Sequence, residues 1–418
     1  MTPRFLPCIA LLLIACGDDA RPLDAGLDAS MNDAGSDAGN DSGDASDAGD
    51  AGNDANDAGN DAGSCRSIPP ADHERFVVVS APFGDDPNLF TVHRLSVEGE
   101  LSATGISFAL SRAFDGQIAF SLDGALGAVA QDDGGLGLFR VMEDGNVNVI
   151  TSAPRMTYVS NVVADPNDMN RFWMLNSQTR NNGGGIYALD VDCDGNITDE
   201  RLAIRANLPY KLRFDSEGPI VLARDVGGDE FGAGASEEGL DVHRIDLESG
   251  DVLESADLFS ADEWIGGGFD VDDTHAFGGD IAGFSGTADL VAVAATGPLM
   301  PQQEISAVED PLGILVSPFG DRVIAVSGFG NDVFVFNYDD GAVEPLSNRQ
   351  TLAYITDRTA LPGIPVRVQE GSLSGLVLIP ENQHIRRVQF TTGSVTDLGR
   401  YSLGEGSGAI PGALGVQP

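Results

Sequence analysis

From residue 72 onward, short alternating runs of hydrophobic and polar residues are separated by turns rich in Gly and Asp. The runs favour Val, Ile, Leu and Phe, and no stretch longer than about ten residues keeps a helical apolar period. The clearest unit has four runs, designated strands A to D, at 310–317, 322–327, 332–338 and 342–346. This alternation predicts four-stranded antiparallel units and an all-β fold.

The four-strand unit repeats along the chain. Aligning the turn between strands C and D places one glycine in each of seven copies, at Gly99, Gly145, Gly195, Gly250, Gly297, Gly341 and Gly393. The intervals of 44 to 55 residues match the period of propeller blades. Turn residues between strands A and B, at 122–124, 215–218, 272–274 and 319–321, support the alignment. We therefore predict a seven-bladed β-propeller.

The two ends of the repeated region complement each other. The first copy begins at its strand B, near Arg75, with no strand A before it, whereas residues 410–418 read like the strand A of the unit at 310. We expect the C-terminal segment to supply the missing inner strand and close the ring, because closure protects the edges that an open sheet exposes.

The units at 310–346 and 114–150 resemble blades of the YVTN and YncE-like family of bacterial β-propellers, which is related in architecture to lactonase-type propellers. The resemblance implies a rigid scaffold that binds a protein or a small polar ligand, and it fixes no chemistry. Propeller lactonases assemble their sites from single residues on different blades, so a metal-dependent, lactonase-like hydrolase with its site in the channel is the alternative.

The first residues form an export signal. Arg4 precedes an apolar run at 5–15 that is too short to span a bilayer, and Leu13-Ile14-Ala15-Cys16 resembles a bacterial lipobox. The resemblance implies that residues 1–15 are removed, that Cys16 is lipidated, and that the membrane is a partner. The alternative is an ordinary signal peptide in which Cys16 is incidental. Gly17 favours the outer membrane of a Gram-negative cell envelope.

Residues 16–64 repeat Asp-Ala-Gly, and positions 17–64 hold thirteen Asp and one Arg with no aromatic or β-branched residue. Such a segment has too little apolar surface to fold, so we predict a disordered acidic linker before a propeller domain at 65–418. In composition alone, the linker resembles the tethers of myxobacterial lipoproteins. The whole chain has 23 basic and 65 acidic residues, for a net charge of -42, which argues against nucleic acid as a partner.

Four cysteines reduce to two after export. Cys8 leaves with the signal peptide and Cys16 carries the lipid, which leaves Cys65 and Cys193 in an oxidising compartment. The two form a disulfide or remain unpaired thiols. No CxxC motif or zinc-ligand spacing is present.

Polar residues collect in the loops between strands B and C, which share one face of a propeller. They would form a polar cup at the channel mouth for a cation, a sugar or a peptide. The alternative is a set of ordinary solvated turns. The candidates are Asp132, Asp133, Arg180, Asn182, Asp280, Asp332 and His384.

An acidic turn at 190–200 resembles the first part of an EF-hand calcium loop. Its candidate Ca²⁺ ligands are Asp190, Asp192, Asp194, Asn196 and Glu200. Arg201 stands where the motif has a bidentate glutamate, so an acidic hairpin turn without metal is the other interpretation.

No catalytic residue can be assigned from linear motifs. The chain lacks HExxH, GxSxG and phosphate-loop patterns, and its five histidines have no ligand spacing. His93 and His243 fall within predicted strands, where we expect ordinary surface or packed side chains. Lys211, the single lysine, lies in a predicted strand A and is interpreted in the same way.

Overall fold

The computed structural model describes most of the chain beyond residue 71. The described residues are 65–66, 72–113, 118–131, 135–150, 159–215, 218–225, 239–260, 269–271, 275–279, 288–294, 299–308, 311–327, 332–339, 342–343, 350–354, 364–368 and 371–418. Contacts divide the chain into the units Met1–Asp57 and Ala58–Pro418, and every described residue belongs to the second. The predicted signal peptide, Cys16 and the linker up to residue 64 lie outside the described residues. Within them, no helix has the length and apolar character needed to cross a bilayer.

Antiparallel sheets follow one another along the described residues, and we number them 1 to 7 in chain order. Sheet 1 contains β1 (Arg75–Ser80), β2 (Leu89–Leu95), β3 (Leu101–Ala109) and the C-terminal β29 (Leu414–Val416). Sheet 2 contains β4 (Ile118–Phe120), β5 (Gly127–Gln131), β6 (Gly135–Val141) and β7 (Val147–Ile150). Sheet 3 contains β8 (Val159–Ala164), β9 (Arg171–Asn176), β10 (Gly185–Val191) and β11 (Ile197–Arg205). Sheet 4 contains β12 (Pro209–Asp215), β13 (Gly218–Asp225), β14 (Gly239–Ile245) and β15 (Val252–Ser260).

The remaining three sheets complete the fold. Sheet 5 contains β16 (Phe269–Val271), β17 (His275–Gly279), β18 (Ala288–Ala294) and β19 (Met300–Val308). Sheet 6 contains β20 (Pro311–Val316), β21 (Arg322–Ser327), β22 (Asp332–Asp339), β23 (Ala342–Val343) and β24 (Gln350–Tyr354). Sheet 7 contains β25 (Val366–Arg367), β26 (Leu376–Glu381), β27 (His384–Thr391) and β28 (Ser394–Ser402). Described 3-10 helices span Arg180–Asn182, Gly371–Leu373 and Ser407–Ala409. The prediction of an all-β propeller is confirmed.

The blade pattern itself needs one correction. Among the described residues, six sheets are four-stranded blades, whereas the repeat predicts seven matching ones. Sheet 6 has a fifth strand, because its outer edge consists of the two-residue β23 followed by β24, which pairs with the other end of β22. The predicted outer strand at 342–346 contains Pro345, which has no backbone N–H to donate to a ladder.

The C-terminal strand closes sheet 1, as predicted. β29 pairs with β1 through Val77 with Val416, Val78 with Gly415 and Val79 with Leu414. Two further backbone bonds extend the pairing, from Ser80 N to Ala413 O at 2.9 Å and from Gln417 N to Phe76 O at 2.9 Å. Residues more than 300 positions apart therefore share one ladder.

Burial explains the different patterns of the second and the outermost strands of a sheet. All residues of β1, β5 and β26 are buried, because both faces of these strands pack between neighbouring sheets. The outer strands β3 and β28 carry many exposed polar residues. The apolar side chains fill clusters that join adjacent sheets, such as the group of Phe90, Phe108, Phe120 and Phe139 between sheets 1 and 2.

The turns between the third and fourth strands lock neighbouring sheets together. Five of the predicted turn glycines have positive φ, namely Gly99, Gly145, Gly195, Gly250 and Gly393, and the other two lie outside the described residues. Because their backbone bends sharply, their carbonyls can accept hydrogen bonds from the preceding sheet. Arg387 Nη1 donates to Gly99 O at 2.9 Å, and Arg322 Nη2 donates to Gly393 O at 2.9 Å.

We predict that ring closure depends on the absence of a side chain at Gly415. A Cβ there would lie 2.6 Å from Ile118 Cβ and 2.7 Å from Ile118 O, in the inner strand of sheet 2. Gly415→Ala should lower the free energy of unfolding by roughly 1–3 kcal/mol, measured by guanidinium denaturation. Gly408→Ala is the matched control, because its Cβ would have 4.0 Å of clearance from Gly84 Cα. Equal stability of the two variants would contradict the prediction.

Candidate functional site

Residues from the inner strand of every sheet line one cavity of about 340 Å³. These inner strands are β29, β4, β8, β12, β16, β20 and β25. The lining residues lie towards the C-terminal ends of the strands, as Phe214 does in β12 and Leu315 does in β20. The cavity is thus lined at the end of the channel where the first strand of each sheet turns into the second, opposite the predicted polar cup.

The described lining of the cavity includes four charged residues, Arg75, Arg213, Arg367 and Asp270, among mainly apolar side chains. The Arg213 Nε lies 3.6 Å from Asp270 Oδ1, which makes an ion pair between sheets 4 and 5. Asp270 Oδ2 accepts a hydrogen bond of 2.8 Å from Val316 N in sheet 6. Arg367 in sheet 7 donates from Nη1 to Val316 O at 2.7 Å. These contacts join four successive sheets along the wall of the channel.

Burial controls the protonation of this group. It raises the pKa of the Asp270 carboxyl, and the nearby charges of Arg367 and Arg213 act in the opposite direction. Burial also lowers the pKa of the Arg213 guanidinium. The negative charge of Asp270 raises this pKa, and the positive charge of Arg367 lowers it further. Arginine remains protonated in proteins, so the two guanidinium groups keep their positive charges close to each other.

Arg75 adds a third positive charge to the lining. It opens β1, is 1% exposed, and donates from Nη1 to His73 O at 3.2 Å. Its position is fixed by the start of the strand that pairs with β29. Ring closure therefore also places this arginine in the cavity wall.

Of the two alternatives for Cys65 and Cys193, the structure has the disulfide, with Cα atoms 5.0 Å apart. Cys193 lies in the turn between β10 and β11, and polar contacts to Asp123 hold the other half. Cys65 N donates to Asp123 Oδ2 at 2.7 Å, and Arg66 Nε donates to Asp123 O at 2.6 Å. Asp123 belongs to the turn between β4 and β5. Residues 65 and 66 are thus held at the end of the sheets that lines the cavity.

The predicted polar cup is described only in part. Arg180 N donates to Asn207 Oδ1 at 2.8 Å, and Asn182 N donates to Thr179 O at 2.8 Å. His384 Nδ1 lies 2.8 Å from Asn382 O in a tight turn. None of these three candidates is among the described lining of the cavity. Asp332 begins β22, and the other three candidates, Asp132, Asp133 and Asp280, lie outside the described residues.

Candidate calcium ligands of the acidic turn at 190–200 already have side-chain partners, both within the turn and on β9. Asp190 Oδ1 pairs with Arg171 Nε at 2.6 Å. Asp192 Oδ1 accepts from Asn196 N at 2.8 Å and from Asp194 N at 3.0 Å, and its bonds with Asn196 lower its pKa. Glu200 lies on β11 opposite Leu189. Among the described residues, no three His, Cys, Asp or Glu side chains are grouped to hold a metal, and calcium at this turn stays a prediction.

The charged cavity residues were missed at the level of sequence, although a local signal marks them. Three of the four stand between two apolar residues, in Leu-Arg-Phe at 212–214, Phe-Asp-Val at 269–271 and Val-Arg-Val at 366–368, whereas Arg75 follows Glu74 at the start of β1. Lys211 was the one residue considered in this setting. It is 2% exposed, and its Nζ lies 4.8 Å from the centre of the Tyr210 ring, so the packing interpretation agrees with its position.

The two strand histidines are buried, which selects the packed position over the surface one. His93 lies on β2, with Nδ1 3.2 Å from Tyr401 Oη in sheet 7 and Nε2 3.0 Å from Thr91 Oγ1. Burial lowers the pKa of His93 from 6.5 to about 4. His243 lies on β14 with Nδ1 2.8 Å from Ser255 Oγ.

Comparison with known proteins identifies structures with a similar fold, but it assigns the chain to no family. The sequence matches no family model, and no curated protein matches it. A protein from Bacteroides fragilis assigned as a 6-phosphogluconolactonase is 16% identical, with a TM-score of 0.55 over 83% of this chain and 99% of that one. The periplasmic gluconolactonase of Pseudomonas aeruginosa is also 16% identical, with a TM-score of 0.55 over 82% and 99%. Sqt1 from Chaetomium thermophilum, bound to the N-terminus of ribosomal protein L10, is 11% identical, with a TM-score of 0.50 over 80% and 89%.

These structures share the propeller fold with this chain. The predicted similarity to lactonase-type propellers is supported at the level of the fold. Identities this low transfer neither residues nor activity, since one fold hosts many functions.

We predict that His93 makes the fold sensitive to acid. Its folded-state pKa lies below the unfolded value of 6.5, so the neutral ring stabilises the fold above pH 6.5 and that stabilisation is lost as the pH falls through about 4. His93→Gln should reduce the loss of unfolding free energy between pH 6.5 and 4.5 by roughly 2 kcal/mol. Urea denaturation at both pH values measures it, and an unchanged acid dependence would refute the role of His93.

Proposed function

We propose that this chain is an exported, lipid-anchored propeller that serves as a binding scaffold and takes a small polar ligand in its channel. The observation that carries the proposal is the cavity, because every sheet contributes to a wall that combines apolar side chains with a few buried charged groups. Small-molecule sites have this composition. We count sheet 6 as the seventh blade, since β20 lines the same cavity as the other inner strands.

The proposed anchor is Cys16 with lipid attached, followed by the acidic linker to residue 64. Three polar or covalent ties at residues 65 and 66 support an attachment at the end of the sheets that lines the cavity. We propose that this end faces the membrane and that the loops of the polar cup face away from it. The high negative charge would keep the propeller from lying on an anionic lipid surface.

A protein partner is the second form of the scaffold proposal. Sqt1 is a propeller seen with the N-terminus of a ribosomal protein, which is a precedent for peptide recognition by this fold. In this chain the loops that hold Arg180, Asn182 and His384 would meet such a partner.

Lipidation predicts that the full chain incorporates acyl label. Expressed in a Gram-negative host with radiolabelled palmitate, the protein should carry label in the membrane fraction, because several acyl chains on Cys16 give stable anchoring. Cys16→Ser should lose the label, whereas the control Cys8→Ser should keep it, since Cys8 leaves with the signal peptide. Label retained by Cys16→Ser, or absent from the unaltered chain, would contradict the anchor.

Hydrolysis of a lactone is the alternative function, and Asp270 is the observation that favours it. A buried carboxyl with a raised pKa can accept a proton from water, and adjacent guanidinium groups can stabilise an anionic intermediate. The described lining of the cavity offers one carboxylate side chain and neither histidine nor cysteine, beside three guanidinium groups, so it does not fit a resident divalent metal. A hydrolase at this site would therefore rely on Asp270 and the arginines.

Turnover separates the scaffold from the hydrolase. For the full chain, the scaffold predicts a raised melting temperature with one or more small sugars or sugar acids, and no consumption of gluconolactone beyond the spontaneous rate. Acid release in a pH-stat measures consumption, with and without a chelator. Turnover that Asp270→Asn reduces by at least about 100-fold would favour the hydrolase and overturn the pure scaffold.

A further inference from the structure

We propose that the cavity binds a small oxyanion, the carboxylate or phosphate group of a small organic ligand, between Arg213 and Arg367, with Arg75 as a third positive group. The inference rests on the proposed function, because it assumes that the cavity is a binding site, and it adds the chemical class of the ligand.

The charge of the cavity is opposite to that of the protein. Three guanidinium groups and the Asp270 carboxylate belong to its described lining, which also includes Pro418, the last residue of the sequence, whose α-carboxylate reduces the excess to one positive charge in a chain whose net charge is -42. The Asp270 carboxylate makes an ion pair with Arg213. The described lining therefore holds more positive than negative charge.

Burial makes the closeness of like charges in the cavity wall unfavourable. The charge of Arg367 lowers the pKa of Arg213, so the two groups are near enough to repel each other, and burial lowers it further. Repulsion between like charges and the cost of desolvation are both relieved when an anion enters a buried site. An oxyanion is favoured over a point anion, because the planar guanidinium fork matches the geometry of carboxylate and phosphate.

The two arginines are held in place by the backbone around them. Arg213 Nη1 donates to Leu212 O at 2.8 Å, and Arg367 Nη1 donates to Val316 O at 2.7 Å. Asp270 is itself fixed by Val316 N. Side chains positioned in this way lose little conformational entropy when a ligand binds.

The size of the cavity limits the ligand. A volume of about 340 Å³ lies at the lower end of the range for small-molecule pockets, so a compact organic acid or monophosphate suits it better than a polymer. The apolar wall, with Ile118, Phe120 and Ile314, would contact the carbon skeleton of such a ligand.

The test compares oxyanions with a neutral ligand on the full chain at constant ionic strength. Sodium phosphate and sodium gluconate should raise the melting temperature over sodium chloride, by about 3 to 5 °C at a concentration of 100 times Kd. Glucose measures the response to a neutral ligand of similar size. Because phosphate stabilises most proteins through exclusion from their surface, the shift must be compared between variants.

Two substitutions should change the response to the anions in opposite directions, and a third serves as the control. Arg367→Gln should abolish the specific shift, and Asp270→Asn should lower the Kd for phosphate by about tenfold, since it removes a competing negative charge and keeps an acceptor for Val316 N. Arg322→Gln is the matched control, because Arg322 ties Gly393 between sheets 6 and 7 and is not among the described lining residues. It should keep the unaltered shift. If Arg367→Gln fails to fold, the gain in Asp270→Asn still decides the matter.

The outcomes separate this inference from the proposed function. A shift with glucose and none with either anion would overturn the oxyanion site and leave the scaffold proposal standing. Equal anion shifts in the unaltered chain, in Arg367→Gln and in Asp270→Asn would place binding elsewhere and overturn the inference. No shift with any of the three compounds would count against the ligand-binding channel as well.

Discussion

The pairing of β29 with β1 holds the propeller together. It is a short ladder, with three pairs of residues, but it joins the two ends of the fold and removes the exposed edge of sheet 1. It also positions Arg75, and it brings Gly415 against Ile118 of the next inner strand. Because each sheet packs on its neighbours, an unclosed ring would leave two apolar faces without a partner.

Closure also accounts for the polar contacts along the channel. The inner strands approach one another at the narrow centre, where Arg213, Asp270, Val316 and Arg367 connect sheets 4 to 7. At the opposite edge of the sheets, arginines reach the turn carbonyls of the following sheet, as Arg387 does. Apolar clusters fill much of the space between these two layers, and buried ion pairs such as that of Arg386 with Glu381 lie among them.

The disulfide fixes residue 65 at one end of the sheets. Cys65 and Arg66 contact the turns of sheets 2 and 3, so the linker ends at the same end of the sheets that lines the cavity. A ligand entering from that end would approach between the propeller and the surface to which we propose it is anchored. The opposite end, with the loops of the predicted cup, would remain open to a larger partner. This arrangement allows one scaffold to keep a small-ligand site and a protein-binding face apart.

Local sequence was enough to predict the strands, the turns and the exchange of the last strand into the first sheet, because alternation and a turn glycine such as Gly99 need no information from distant residues. It left the pairing of Cys65 with Cys193 as one of two alternatives. Local sequence could not predict the position of the candidate site. Charged residues up to 292 positions apart, from Arg75 to Arg367, meet because ring closure brings the same end of every inner strand to one axis. Spacing along the sequence does not show which residues meet at that axis. The sequence therefore favours the polar loops, whose composition is distinctive, over single charged residues within apolar strands.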